Sequence, residues 1–459
     1  MMDPRDVTST ADAKRIVEER GLGHVKVGLF DVDGVMRGKY MSRDKFFSAL
    51  DSGFAFCDVV LGWDSNDQLY ESPGVAFTGW HTGYPDAQVR VIPASCRSLP
   101  FEDDMLLFLC EFSGDAAALC PRNLLARTLD KAQSMGFAAH AAFEYEFFLF
   151  DETPASVRAK HYHDLQPITP GFFGYSMLRN SVHAELYREL LELARDMDFP
   201  LEGLHTETGP GVLEAAIAVD VADAAADKAA LFKTFTKVWA QRRGMMATFM
   251  AKWSNDYPGQ SGHIHISLRN RDRNTAAFHD PTEQMNMSAT QRHFVAGQQR
   301  LMPELLLMYA QTVNAYSRLV PGFWAPTHAT WGCENRTTAL RLIPGSEKSQ
   351  RVEFRLGSAD ANPYIALAAA LASGLYGIEQ ELEPLPMVAG NGYQQQHPPE
   401  LRLSTDIMSA AARLRDSAVA AELFGRAFVD HYATTREWEG REYHRHVSDW
   451  EKRRYFEII

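Results

Sequence analysis

Four short segments place acids, histidines and arginines at alternate positions inside otherwise apolar runs. In Ala142-Phe143-Glu144-Tyr145-Glu146-Phe147-Phe148-Leu149-Phe150, the period of two of a strand puts Glu144 and Glu146 on one face. Two carboxylates about 7 Å apart at Cβ on an apolar strand repel each other unless something positive lies between them. In the segment from Glu202 to Glu214, a Gly209-Pro210-Gly211 turn brings Glu207 and Glu214 close together. In Ser261-Gly262-His263-Ile264-His265-Ile266-Ser267-Leu268, alternation gives His263, His265 and Ser267 a common face. In Arg351-Val352-Glu353-Phe354-Arg355-Leu356 it separates Arg351, Glu353 and Arg355 from their apolar neighbours. Each segment alone has an ordinary explanation: an edge strand with a wet face, an acidic hairpin, a structural histidine. Four independent segments are not explained that way.

Facing one another across a sheet, these strands would bring Glu144, Glu146, Glu207, Glu214, Glu353 and His263 to one cavity. Five carboxylates with a single imidazole form an oxygen-rich ligand set, which suits two or three hard cations, Mg²⁺ or Mn²⁺, better than zinc. Around them the sequence supplies Arg318, Arg336, Arg341, Lys348, Arg351 and Arg355. Divalent cations beside guanidinium forks are what phosphoryl transfer needs, because catalysis there is mostly positioning and neutralisation of oxygen charge. There is no G-x-x-x-x-G-K-[ST] loop, so ATP would be held without a Walker motif.

The elements that must position these residues are legible in outline. Residues 24–41 read as two strands around an Asp33-Gly34 turn, and Met41 to Leu50 as a helix. Short strands and loops follow to about Pro100. Pro121 then opens a helical pattern that Gly136 stops. Beyond it, helices are expected near 177–197, 221–243, 288–312, 361–381 and 406–456, alternating with strands. An α+β chain results, with a small domain over residues 1–112 and a large one over 113–459.

The composition bounds the rest. With 459 residues and 46% apolar content the chain can bury a sizeable core. Its 46 basic and 59 acidic residues give a formal charge of −13, which argues against a nucleic-acid binder. Five scattered cysteines form no C-x-x-C pair, and no stretch is apolar enough to span a bilayer. The opening residues do not read as a signal peptide. A soluble cytoplasmic protein, with no membrane partner, is expected. Leu29-Phe30-Asp31-Val32-Asp33-Gly34-Val35 has the strand-then-D-x-D form of dehalogenase-type phosphotransferases, but the same letters are ordinary hairpin-turn chemistry, and that reading is preferred.

The ordered set FEYEFFLF, the acidic pair Glu207 and Glu214 around GPG, SGHIHISL, NAYSRLVPG, NRTTALRLIP and RVEFRLGSADANPY resembles the glutamine synthetase superfamily over nearly the whole chain. FDVDGVMRGKY is similar to that family's N-terminal hairpin, which removes the dehalogenase reading. The resemblance implies a small β-grasp domain, then a catalytic domain built on a funnel-shaped antiparallel sheet. It also implies a ring oligomer, commonly a dodecamer of two stacked hexamers, with active sites shared between subunits. Carried over position by position, it implies one metal site of Glu146, Glu207 and Glu214 and another of Glu144, His263 and Glu353. Glu202, His265, Ser267, Arg341 and Lys348 correspond to ATP-site positions. Gly259, Arg318, Arg336 and Arg355 correspond to glutamate-binding positions, the arginines also serving the acyl phosphate. The implied reaction phosphorylates the glutamate γ-carboxylate with ATP, and an amine then displaces phosphate.

The departures concern the amine. Where the family reads R-L-V-P-G-Y-E-A-P, with a Glu that helps deprotonate ammonium, this chain has Arg318-Leu319-Val320-Pro321-Gly322-Phe323-Trp324-Ala325-Pro326. An indole is neither a base nor a counter-charge, although its face can hold a cation or an apolar group. The family's F-D-G-S-S stretch becomes Phe56-Cys57-Asp58-Val59-Val60-Leu61-Gly62-Trp63, with Asp58 nearest to its Asp, and its N-G becomes Pro258-Gly259. No tyrosine stands near Leu382 to Met387, where the adenylylated loop of bacterial members falls. Trp324, Asp58 and Trp63 are therefore assigned to an amine pocket. The expected enzyme is an ATP-dependent γ-glutamyl-amine ligase, similar to the γ-glutamylpolyamine synthetases, acting on a bulky or aromatic amine or a polyamine. Glutamine synthesis from ammonium is the nearest rival. A non-catalytic homologue would lack metal ligands, whereas all six positions are suitably occupied.

Overall fold

The computed structural model describes residues 2–71, 75, 77–103 and 105–459. Its first sheet contains β1 (His24–Phe30), β2 (Met36–Ser42), β3 (Phe54–Cys57), β4 (Asp86–Val91), β5 (Arg97–Ser98) and β6 (Leu106–Phe112), in the order β2-β1-β6-β4-β3 with β5 on β6. The central β1/β6 pair is parallel and its neighbours antiparallel, the β-grasp arrangement. Helices α1 (Thr10–Glu19) and α2 (Arg43–Ser52) accompany it.

The β1–β2 turn shows why its acids are not nucleophiles. Asp31 is buried. Its Oδ1 accepts from the Asp33 and Val35 N–H groups at 3.0 and 2.9 Å, and its Oδ2 from Arg37 Nε at 2.8 Å. Asp33 pairs with Arg436 Nη1 at 2.6 Å, and Asn362 Nδ2 donates to the Asp31 carbonyl at 2.9 Å. The turn thus fastens the first sheet to the second part of the chain.

That part begins with α3 (Pro121–Ser134) and is built on β7 (Phe137–Phe150), β8 (Leu201–Thr206), β9 (Val212–Ile217), β10 (Asp220–Val221), β11 (Met246–Thr248), β12 (Gly262–Asn270), β13 (Trp331–Cys333), β14 (Leu340–Ile343) and β15 (Arg351–Phe354). The order is β13-β14-β15-β12-β7-β9-β8, with β10 and β11 also on β7. All pairs are antiparallel except β13/β14, which run parallel. In β7 burial alternates from Ala139 to Tyr145, Phe143 and Tyr145 going under the sheet while Glu144 and Glu146 stay half-buried on the other face.

Behind the sheet lie the long helices, α7 (Ala222–Arg242) against β7 and α10 (Pro363–Glu379) against α3, α7 and α8 (Ala289–Leu305). α10 is buried almost throughout and meets α8 at glycines: a Cβ on Gly297 would lie 2.2 Å from the Ser373 carbonyl, and one on Gly377 2.1 Å from that of His293.

The expected helices form with shorter bounds. The 177–197 segment breaks at His183 into Met177–Val182 and Ala184–Asp196, because His183 leaves helical angles at φ −104° and ψ 28°. The 288–312 helix ends at Leu305 and continues as one 3₁₀ turn, with Pro303 inside its last turn. The 406–456 region is four helices, Ile407–Asp416, Ala418–Phe424, Arg426–His444 and Asp449–Tyr455, the first two separated at the capping Ser417 and the next at Gly425, whose φ is 85°. Among the described residues no helix is long and apolar enough to cross a membrane.

Candidate active site

The strand registers align the charged faces. Glu144 lies opposite His263, Glu146 opposite Glu214, His265 opposite Glu353, Glu353 opposite Arg341, and His205 opposite Glu214. The face forms one wall of a cavity of about 590 Å³. Glu144, Glu146, Glu207, Glu214, His263 and Glu353 all line it, so the structure brings the six expected metal ligands together.

Hydrogen bonds orient the wall. His263 Nδ1 lies 3.4 Å from both Glu144 Oε2 and Glu353 Oε1. His265 Nε2 lies 3.4 Å from Glu144 Oε2, and Arg351 Nε donates to His265 Nδ1 at 3.2 Å, which puts the ring proton on Nε2, facing Glu144. Arg341 Nη1 donates to Glu353 Oε2 at 3.0 Å, and Arg355 Nη1 donates to its other oxygen. The Ser261 N–H donates to Glu146 Oε2 at 2.7 Å and the Thr208 N–H to Glu207 Oε2 at 2.9 Å.

The carboxylates are pulled in opposite directions. Burial opposes charge on Glu144, but hydrogen bonds from His263 and His265 outweigh it and hold the carboxyl well below the usual range. At Glu353 burial is again outweighed, by His263, Arg355, His265 and Arg341, bringing it down to about 2. Glu214 has a weaker partner, His205 Nε2, 4.0 Å from its Oε2. Burial, then the charges of Glu144 and Glu146, push it up to about 11. A cation between these acids would relieve that repulsion.

The donor set fits divalent metal. Among the described residues, ligand atoms lie within 4.8 Å of one another in three groups: Glu144, His265 and Glu353; Glu144, Glu214 and His263; His205, Glu207 and Glu214. His263 Nε2 is buried and has no hydrogen-bond partner among the described residues. Each group is two carboxylates and one imidazole, an oxygen-dominated set for a hard cation. Glu146 belongs to none of the three groups.

Arg318, Arg336 and Arg355 line the same cavity. Arg318 is buried, and it donates to the Leu356 and Arg355 carbonyls at 2.8 and 3.2 Å; burial draws its guanidinium down to about 10, leaving it charged at neutral pH. Gly259 is the floor beneath it, where a Cβ would stand 2.6 Å from Arg318 Cγ. His265 and Arg341 also line the cavity, whereas Glu202, Ser267 and Lys348 do not. Glu202 is exposed at a bulge in β8, Ser267 sits further along β12 opposite His140, and Lys348 is exposed in the β14–β15 turn.

The cavity also has aromatic lining, Phe323 and Trp324 from the loop after Arg318 and Tyr175 beside His205. Trp324 is 56% exposed with φ at 60°, a left-handed conformation that is strained for a bulky residue. Tyr175 stacks on His205 with ring centroids 4.4 Å apart. Asp58 and Trp63 do not line the cavity of their own chain. Asp58 is buried and accepts from Thr78 Oγ1 at 2.8 Å; Trp63 lies beneath the Arg37 guanidinium, 4.9 Å from the ring centroid.

Sequence reasoning assigned no role to His205, Tyr175 or Phe323. His205 stands two positions before Glu207, where strand alternation gives the two a common face, so a signal existed there. Tyr175 lies in a loop without periodicity and carried none.

A strand face of carboxylates and imidazoles, walled by guanidinium groups, defines a class of protein that handles phosphoryl and carboxylate oxygens. Residues 118–455 match the glutamine synthetase catalytic domain, and the chain belongs to the glutamine synthetase family. It is 43% identical over 447 residues to type-1 glutamine synthetase 2 of Dictyostelium discoideum, covering 95% of this chain and 84% of the relative. It is 36% identical over 452 residues to a glutamate–isopropylamine ligase of Pseudomonas, covering 96% and 97%. Its fold is similar to that of GmaS in complex with ADP, with a TM-score of 0.84, 24% identity and coverage of 97% and 99%.

Proposed function

We propose that this protein is an ATP- and divalent-metal-dependent ligase that joins the γ-carboxylate of glutamate to an organic amine through γ-glutamyl phosphate. The observation that carries the amine assignment is the distribution of charge in the cavity. Among the described residues, every carboxylate that lines it belongs to the Glu144, Glu146, Glu207, Glu214 and Glu353 wall, and the 319–326 loop contributes Phe323 and Trp324. Within one chain no described carboxylate is left over to hold an ammonium, so a neighbouring subunit's Asp58 would be the one counter-charge for the amine, and a monoamine with an apolar body fits better than a polyamine with a second ammonium.

Bound divalent cations would supply charge neutralisation on the phosphate oxygens. Glu144, His263 and Glu353, with Glu146, Glu207, Glu214 and His205, would hold them. Arg318, Arg336 and Arg355 would bind glutamate and the acyl phosphate, Arg318 carrying a charge already locked by two backbone carbonyls. His265 and Arg341, with Glu202, Ser267 and Lys348 further out, would face the nucleotide. The γ-carboxylate oxygen attacks the γ-phosphorus and ADP leaves; the amine nitrogen then attacks the acyl carbon and phosphate departs, able to take the amine proton. Trp324 excludes water from the acyl phosphate and packs on the amine's apolar part.

The ring assembly is part of the same proposal, with Asp58 and Trp63 reaching a neighbouring subunit's site and the division between domains falling at 112/113. It is supported by an exposed apolar C-terminal segment, in which Trp450, Phe456, Ile458 and Ile459 are 57–92% exposed.

Phosphate release measured with ATP, Mg²⁺, glutamate and a panel of amines tests the function. Isopropylamine-sized and larger monoamines are expected to exceed ammonium in kcat/KM by at least about tenfold, about 1.4 kcal/mol. Ammonium as the best acceptor would favour glutamine synthesis, the reading that the name of the Dictyostelium relative suggests.

A further inference from the structure

Behind the catalytic sheet lies a second cavity of about 410 Å³, between the β1–β2 turn, α7 and the segment leaving β11. Two lysines four residues apart on α7, Lys233 and Lys237, line it. Lys233 is 8% exposed, and its ammonium makes one hydrogen bond, to the Ala361 carbonyl at 2.7 Å. It lies 5.6 Å from the Tyr145 ring centroid and 6.0 Å from that of Phe249, and Lys237 lies 5.6 Å from the same Phe249 ring. Among the described residues, neither ammonium has a carboxylate within ion-pair distance.

Of the acids on the opposite wall, two pair with Arg436, and the third, Asp360, is held by hydroxyls and is a single carboxylate whose charge supports two ammonium groups. Asp33 pairs with Arg436 at 2.6 Å. Glu439 accepts from the Val313 N–H at 2.9 Å and lies 3.6 Å from Arg436. Asp360 accepts from Thr312 Oγ1 at 2.6 Å and from the Ser358 hydroxyl. Burial pulls Lys233 down to about 7, and the repulsion from Lys237 outweighs the support from Asp360. A buried ammonium with spare donors and a second ammonium beside it needs a counter-charge, and the cavity between them has room for one.

We propose that this cavity binds a small oxyanion, a carboxylate or a phosphate, between the ammonium groups of Lys233 and Lys237. The Thr248 hydroxyl lines the same space and accepts from the Met250 N–H at 3.1 Å, which leaves its own proton to supply a further donor. The site is separate from the catalytic cavity but backs directly on it: Tyr145, under Lys233, lies between Glu144 and Glu146 on β7. It does not depend on which amine the enzyme uses.

The test is calorimetric titration of the full-length protein, with the catalytic cavity saturated by glutamate, Mg²⁺ and a non-hydrolysable ATP analogue. Inorganic phosphate and succinate are titrated separately, to distinguish the two sources of the oxyanion. One equivalent per chain of at least one of them is expected, weakened at least about tenfold in Lys237→Gln, whose residue is exposed at the cavity mouth, and in Lys233→Gln. Absence of binding of either anion up to about 10 mM would overturn the proposal. So would unchanged affinity in Lys237→Gln, which keeps the test valid if Lys233→Gln does not fold.

Discussion

At Gly259 an added methyl group would stand 2.6 Å from Arg318 Cγ and 2.7 Å from the Ala251 carbonyl. The backbone cannot yield without moving the loop, so the arginine must. Gly259→Ala is therefore expected to raise KM for glutamate about tenfold or more while leaving KM for ATP near its starting value, checked by initial-rate kinetics. Trp324 is a different kind of residue, exposed and held at a left-handed φ by its loop rather than by packing. Trp324→Glu should lower kcat/KM for bulky monoamines about tenfold and raise it for ammonium, because a carboxylate replaces an apolar surface with a counter-charge. An unchanged amine profile would place Trp324 outside the pocket.

The helices behind the sheet make predictions of their own. α8 and α10 touch backbone to backbone at Gly297 and Gly377, so Gly297→Ala must push them apart. A loss of about 1–3 kcal/mol is expected, visible as a lower midpoint in urea unfolding. His431, on the Arg426–His444 helix, is fully enclosed, and burial with Arg436 nearby lowers it from 6.5 to about 4. The unfolded chain therefore takes up a proton between pH 6.5 and 4 that the folded chain refuses. Its contribution is intact above pH 6.5 and is lost as pH falls toward 4, on the order of 3 kcal/mol in all. In His431→Leu the fall in Tm between pH 7 and pH 5 should be smaller than in the parent. Residue types at helical spacing revealed these helices but not their breaks, since the interruption at His183 depends on a backbone angle that no periodicity encodes.

For the whole molecule the decisive question is where Asp58 and Trp63 act. Within one chain they do not line the cavity, so a role at the amine calls for a second subunit. Co-expression of Asp58→Ala with Glu353→Gln tests this. Shared sites would recover activity in the mixed assembly, because some sites combine an intact Asp58 with an intact Glu353; sites confined to one chain would recover none. Mn²⁺ titration of Glu353→Gln alone should show at least about tenfold weaker binding at one class of site. The formal charge of −13 also takes on a local meaning, since five of the acids line one cavity.

The alternation of charged and apolar residues is a property of each strand alone, and for that reason the sequence by itself determined which side chains share a face: Glu144 with Glu146, His263 with His265, Glu353 with Arg355. Family resemblance then related the faces to one another. Tertiary structure decided what pairing between distant segments controls. It set the register that puts Glu146 opposite Glu214, turned β13 parallel to β14, brought His205 and Tyr175 to the metal wall, and left Glu202, Ser267 and Lys348 outside the cavity. It also set Lys233 and Lys237 facing a space that no local pattern announces. Registers and cavities arise from contacts between residues far apart in the chain, whereas periodicity records only the backbone geometry of neighbours.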